Sequence, residues 1–182
     1  MDHKKHATFT RRVLNAALAS AVVLGGACFG VNSYAADGTG TANATVVTPI
    51  AIAASNPNLR FGSFSTTAAG QTVAIDTAGT RTVTGALGLG TGQNAFGAAS
   101  FAVTGEGALT YAITLPSTTN ITTGAGDATR TMAVSSFVSN PSGTGTLTAG
   151  AQTLLVGATV TTVASQVVGV YTGTFTVTVA YN

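Results

Sequence analysis

A period of two near the end of the chain constrains the fold more than any other feature. Between 171 and 181, Tyr171, Gly173, Phe175, Val177, Val179 and Tyr181 fall on one set of alternate positions, and Thr172, Thr174, Thr176 and Thr178 on the other. Successive side chains of a strand point to opposite faces, whereas a helix would scatter these two sets around its circumference. The segment therefore predicts a strand with one apolar face and one hydroxyl face. The same economy runs through the rest of the chain, since residues 36–182 hold 32 threonines. Threonine's branched β-carbon suits pleated backbone and its hydroxyl accepts water. It replaces charge as the outward surface, which leaves little electrostatic protection against edge-to-edge pairing.

Further strands are expected at 42–53, 59–64, 72–75, 81–89, 100–105, 109–115 and 130–137, and at 146–163 as one or two pieces, each bounded by Gly, Asn or Pro. No segment after residue 35 carries helical periodicity. About nine short strands with turn signals between them indicate an all-β fold, an antiparallel two-sheet sandwich with Greek-key connections. The runs from Asp76 to Arg81 and from Asp127 to Arg130 place an acid and an arginine at strand ends, which is turn chemistry. Phe96, in Gln93-Asn94-Ala95-Phe96-Gly97, reads as a core residue at the start of a strand before it reads as a loop contact.

Only 7% of the residues are charged, and four of the seven basic ones are Lys4, Lys5, Arg11 and Arg12, beside His3 and His6. An apolar run at 13–29 follows, then Ser33-Tyr34-Ala35 before Ala36. This is the layout of a secretory signal over 1–35 with cleavage between Ala35 and Ala36. The run is interrupted by Asn15 and falls short of the roughly 20 apolar residues of a membrane span, so contact with membrane is expected only during export. Cys28 reads as one more apolar residue of the leader, because Leu24 stands one place too early for a lipid-acceptor site. The remaining charges, Arg60, Arg81 and Arg130 against Asp37, Asp76, Glu106 and Asp127, form no basic cluster that would hold nucleic acid.

Residues 36–182 contain no His and no Cys. Ser-His-Asp and Cys-His catalysis, thiolate zinc sites and the commonest general base are thereby excluded from that stretch. The four acids are scattered; Asp76 with Asp127 or Glu106 could in principle face each other across a cleft as glycoside hydrolysis requires, but each sits in a Gly-rich turn whose ordinary role is solvation. Gly88-Leu89-Gly90-Thr91-Gly92 and Gly143-Thr144-Gly145 lack the following Lys and helix of a phosphate loop, and no acid spacing fits calcium. The expectation is a protein with no catalytic residue, no metal and no cofactor.

The last strand ends in a penultimate Tyr181, and Gly169 is fourteenth from the end, counting Asn182 as first. This resembles the C-terminal signature of chaperone–usher pilins. The resemblance implies an immunoglobulin-like, pilin-like sandwich whose last strand lines an open groove through Phe175, Val177, Val179 and Tyr181. It also implies a periplasmic chaperone and an outer-membrane usher as partners in transit, and a neighbouring copy that later fills the groove with its own N-terminal extension.

A donor must be an extended arm whose alternate side chains enter pockets. After the expected cleavage site, Ala36, Gly38, Gly40, Ala42, Ala44 and Val46 share one face, and Asp37, Thr39, Thr41, Asn43 and Thr45 the other, before Pro49 limits ladder donation. Residues 36–46 are the candidate donor arm and 47–182 the sandwich domain. The arm residues are small, so each would fill a pocket shallowly.

Over nearly all of 36–182 the chain also resembles a family of secreted bacterial β-proteins carrying a domain of unknown function. The strings concerned are ATVVTPIAIA (44–53), LRFGSF (59–64), FAVTGEGALTYAITLP (101–116), LLVGATVT (154–161) and GVYTGTFTVTVAYN (169–182). That family implies a Gram-negative, exported product with pilin-like character and supplies no catalytic residues. The expected function is a non-enzymatic subunit of an extracellular, fimbria-like filament, a homopolymer at the cell surface. The alternative is a monomeric secreted β-sandwich that acts as a binding or adhesion module. An eight-stranded outer-membrane barrel is the third reading, disfavoured by the lack of aromatic girdles and of a terminal aromatic residue.

Overall fold

The computed structural model describes residues 35–65, 69–86, 88–89, 95–124 and 127–182. The chain divides into two units, Met1–Asn43 and Ala44–Asn182. In the first, residues 35–43 are described: they are exposed and carry no regular secondary structure. The expected leader, apart from Ala35, lies outside the described residues.

The second unit is an antiparallel all-β sandwich. In chain order its strands are β1 (Ala51–Asn56), β2 (Arg60–Phe61), β3 (Phe64–Ser65), β4 (Thr72–Ile75), β5 (Arg81–Thr84), β6 (Gly88–Leu89) and β7 (Phe96–Gly97). They continue with β8 (Ala99–Thr104), β9 (Thr110–Thr114), β10 (Thr118–Thr122), β11 (Thr131–Asn140), β12 (Thr144–Thr146), β13 (Ala151–Thr161) and β14 (Thr178–Tyr181). The one described helical turn, Ala128–Arg130, precedes β11 and is capped by Asp127, whose side chain accepts from the N–H groups of Thr129 and Arg130.

The larger sheet runs β1-β8-β13-β11-β10. β13 is its axis. One edge of β13 pairs with β11, while the other pairs with β8 along Ala151–Val156 and with β4 along Ala158–Thr161. Gly157 stands where β13 changes neighbour, and a Cβ there would run into the Ile75 carbonyl and the Asp76 backbone. Only glycine lets the two strands follow each other so closely. β4 continues into β5 as a hairpin.

β11 carries a bulge between Ser135 and Val138, with Ser136 in the left-handed region at φ 52°. Its effect shows in the side chains: Met132 and Val134 are buried before the bulge, Ser139 after it, with Phe137 half-buried between. One extra residue has moved the inward set from even to odd positions. Phe137 thereby packs against both core clusters.

The smaller sheet is β12-β9-β14. Its centre is Tyr111, fully buried, which lies opposite Gly145 in the β12–β9 ladder and donates from its hydroxyl to Gln152 Oε1 at 2.7 Å. A Cβ on Gly145 would fall within the Tyr111 ring. The first core cluster joins the two sheets: Ala99, Val103, Leu154 and Val156 from one, Tyr111 from the other, and Leu147 just beyond β12. The second consists of Val73, Met132, Val134, Ala158 and Val160 within the fork of the larger sheet. Each buried Val or Leu contributes about 1.5–3 kcal/mol relative to exposure.

Two expectations on strand extent are corrected, and one strand carries no signal in the sequence. The strand expected at 42–53 begins only at Ala51, because Pro49 has no N–H to donate and the residues before it are exposed without ladder partners. The strand expected at 171–181 is a ladder only at β14, since the chain before it is crossing from one sheet to the other. β10 was not expected: in Thr118-Thr119-Asn120-Ile121-Thr122 only Ile121 is apolar, too little for the alternation to register.

Candidate strand-acceptor edge

The C-terminal segment starts against the larger sheet. Thr172 exchanges backbone hydrogen bonds with Thr122 at 2.9 and 3.0 Å, and the Thr119 hydroxyl donates to the Thr174 carbonyl at 2.8 Å. Gly173 fits there because a Cβ would press on the Asn120 carbonyl and Ile121. The chain then crosses to the smaller sheet, where β14 pairs with β9 from Thr178↔Thr114 to Tyr181↔Tyr111.

The predicted alternation survives this crossing. Phe175, Val177, Val179 and Tyr181 are half-buried, whereas Thr172, Thr174, Thr176 and Thr178 are exposed. Phe175 packs edge-on to Phe101, with ring centroids 6.2 Å apart and planes at 89°, and lies 5.4 Å from the Phe137 ring. Around them Ile50, Ile52, Ile113 and Leu115 also pack against the first cluster while remaining half-open to solvent. Together these side chains form an apolar belt beside the first core cluster.

β14 is the outermost strand of its sheet and β1 the outermost strand of the other, and the two approach each other along one flank of the sandwich. The Asn182 N–H donates to the Thr110 carbonyl at 3.3 Å. Antiparallel pairing alternates ladder-facing with outward-facing residues, so the backbone N–H and C=O of Val179 and Tyr181 point away from β9. Among the described residues these groups have no ladder partner. The edge is therefore both hydrogen-bond-competent and apolar-lined.

A polar clamp closes the end of this edge. The Tyr181 hydroxyl donates to the Thr48 carbonyl at 2.8 Å and accepts from the Glu106 N–H at 2.6 Å. Glu106 Oε2 in turn accepts from the Thr48 hydroxyl at 2.7 Å and the Thr48 N–H at 3.1 Å. Those two bonds, the hydroxyl first, hold the Glu106 carboxyl below its ordinary 4.5. The phenol reaches across because Gly105 lies beneath it, where a Cβ would collide with the hydroxyl. The clamp fixes the point at which the segment before β1 leaves the body.

Sequence reasoning singled out Tyr181 but missed Thr48 and Glu106 as its partners. The only local signal was an acid isolated between Gly105 and Gly107. Of the other predicted residues, Gly169 lies in the loop before the crossing, where a Cβ would collide with the Thr123 side chain. Ala36, Gly38, Gly40, Ala42, Ala44 and Val46 are exposed and outside any ladder, and a Cβ on Gly38 or Gly40 would meet no atom within 4 Å.

Asp76 and Asp127 serve turns. Asp76 accepts from the Thr80 N–H at 2.7 Å. Asp127 is held below its ordinary pKa chiefly by the Thr129 hydroxyl at 2.7 Å. Phe96 does start a strand, but it is exposed, with the Arg81 guanidinium 4.4 Å above its ring. Among the described residues no cluster of His, Cys, Asp or Glu could hold a metal ion, and no helix is long and apolar enough to cross a membrane.

Fold and edge together define an antiparallel all-β sandwich protein. Residues 50–181 match the family described as a domain of unknown function, DUF4402, and the chain belongs to that family. No curated protein and no solved structure matches it.

Proposed function

We propose that the chain is a non-catalytic structural subunit of an extracellular, fimbria-like filament, in which residues 36–46 of one copy complete the β14 edge of the next. The observation that carries this reading is the outer edge of β14, unpaired among the described residues above a belt of half-buried Phe, Val and Ile side chains. Strand addition takes affinity from the backbone ladder and specificity from alternate side chains. Fully extended, residues 36–46 span about 36 Å at roughly 3.3 Å per residue, more than the four residues of β14 require. A contact between unlike surfaces repeats without closing and so builds a fibre. The leader-like start supports export through the periplasm to the cell surface, and the pilin resemblance of the last strand supports a periplasmic chaperone and an outer-membrane usher as transit partners.

The test is electron microscopy and sedimentation of the exported protein with and without residues 36–46. Filaments or multimers that vanish with the deletion are expected. A protein that is strictly monomeric with the arm intact overturns the reading. A second reading, a monomeric binding or adhesion module, draws on the exposed Phe96 beneath Arg81, a pair suited to stacking against a sugar ring. Glycan binding by monomers, lost in Phe96→Ala, would favour it.

A further inference from the structure

The ends of the sandwich differ from its sides. Among the described residues, seven large hydrophobic side chains are exposed: Val46, Val47, Phe96, Leu109, Val138, Val168 and Val170. Five of them sit at two opposite poles. Val46, Val47 and Leu109 lie at the pole that holds the clamp, since Thr48 bonds to Glu106 and the Leu109 N–H donates to the Glu106 carbonyl. Val168 and Val170 lie at the other pole. There the Val167 N–H donates to the Thr129 carbonyl at 2.9 Å, and Thr172 meets Thr122. β14 runs from the second pole to the first, because its last residue, Tyr181, carries the clamp hydroxyl.

The loop that carries Val168 and Val170 is fastened down. Gln166 Nε2 donates to the Thr129 carbonyl at 2.8 Å and to the Tyr171 hydroxyl at 2.9 Å, and its Oε1 accepts from the Val163 N–H at 3.1 Å. The Tyr171 hydroxyl donates to the Val167 carbonyl at 2.6 Å. Fixed at both ends, the loop leaves Val168 99% and Val170 78% exposed. On a surface whose strands present mainly threonine, two neighbouring valines held outward by a hydrogen-bonded frame make an apolar spot at this pole.

We propose that Val168 and Val170 of one copy form the seat for Val46, Val47 and Leu109 of the next, a second contact between successive subunits; this rests on the strand-donation reading above. The direction of strand addition decides which poles meet. An arm lying antiparallel to β14 runs from Tyr181 toward the pole of Val168 and Val170, which brings the clamp pole of the donor onto that pole of the acceptor. Unlike poles then meet and the arrangement repeats indefinitely. A parallel arm would bring clamp pole to clamp pole, burying two identical Thr48–Glu106–Tyr181 clusters against each other and leaving both Val168 loops bare. The apolar residues at opposite ends match the antiparallel case.

The test uses the absence of thiols beyond Cys28, the single cysteine of the chain. In the full chain carrying Cys28→Ser, Val47→Cys and Val168→Cys are introduced singly and together, and the oxidised protein is run on a non-reducing gel beside sedimentation of the reduced protein. The double variant is expected to give a ladder of trimers and higher species, and each single variant only monomer. Dimers from either single variant, without a ladder from the double variant, show like poles meeting and overturn the proposal. Multimers in sedimentation without a disulfide ladder overturn the pole contact and leave strand donation standing. Monomers throughout overturn both.

Discussion

Replacing Gly145 with alanine tests how the smaller sheet is built. The added methyl would fall within the Tyr111 ring, directly opposite it in the ladder. The ring has nowhere to retreat: it is 0% exposed, packed among Val103, Leu147 and Leu154, and tied by its hydroxyl to Gln152 at 2.7 Å. Overpacking of this kind costs about 1–3 kcal/mol, and the hydroxyl bond lost as the ring moves adds about 1 kcal/mol. The sum, about 2–4 kcal/mol, is a large share of the roughly 5–15 kcal/mol that holds a domain folded. With a urea slope of about 1–3 kcal/mol per molar, the unfolding midpoint should fall by about 0.7–4 M. The companion variant is Tyr111→Ala, expected to cost about 3–5 kcal/mol by itself. In the double variant the methyl enters space the ring has left, so Gly145→Ala should then cost almost nothing. A midpoint unchanged in Gly145→Ala, or strictly additive losses in the double variant, would refute the reasoning. Because Tyr111 also faces Tyr181 across β9 and β14, the same substitution should weaken assembly if β14 is the proposed acceptor edge.

Four further outcomes are expected. Burial raises the Tyr111 hydroxyl above its ordinary 10.0; the unfolded chain then loses this proton before the folded one does, so stability should fall as pH rises above 10, and Tyr111→Phe should flatten that limb of a pH series of urea midpoints. Glu106 is shifted the other way: the Thr48 amide signal should titrate at a pH below 4.5 as protonation breaks its bond, and in Glu106→Gln the titration should vanish. Ser136 pays for its positive φ, so Ser136→Gly should gain up to about 1 kcal/mol and Ser136→Val lose at least as much, read from urea midpoints. On the proposed donor face, Gly40→Val would add up to about 1.5–3 kcal/mol of apolar burial, so assembly should set in at a concentration lower by up to about tenfold to a hundredfold by light scattering; an unchanged onset would remove Gly40 from the interface.

The sequence displayed its fold class openly because threonine and apolar residues alternate so cleanly, and in the last segment Phe175 to Tyr181 the predicted face is the observed one. What alternation conceals is pairing. Val177 and Val179 read alike in sequence, yet only the latter lies in a ladder, since the chain changes sheets just before it. The bulge at Ser136 was equally hidden: Ser135 and Ser136 interrupt an alternation that resumes one residue out of phase, and only the partner strand shows that a residue has been added. β10 has a single apolar residue and gives no periodic signal. The clamp required knowledge of distance, because Thr48, Glu106 and Tyr181 are brought together from the beginning, middle and end of the domain. Glu106 was read as a solvated turn acid, which is its local character and omits its role.

The phenol of Tyr181 makes the start and finish of the domain into one mechanical joint. Tension applied through residues 36–46 would arrive at Thr48, where it divides between the β1–β8 ladder, loaded along its length, and the hydroxyl that anchors the last strand. Trimming two residues from the far end would remove that anchor and be felt as slack at the near one.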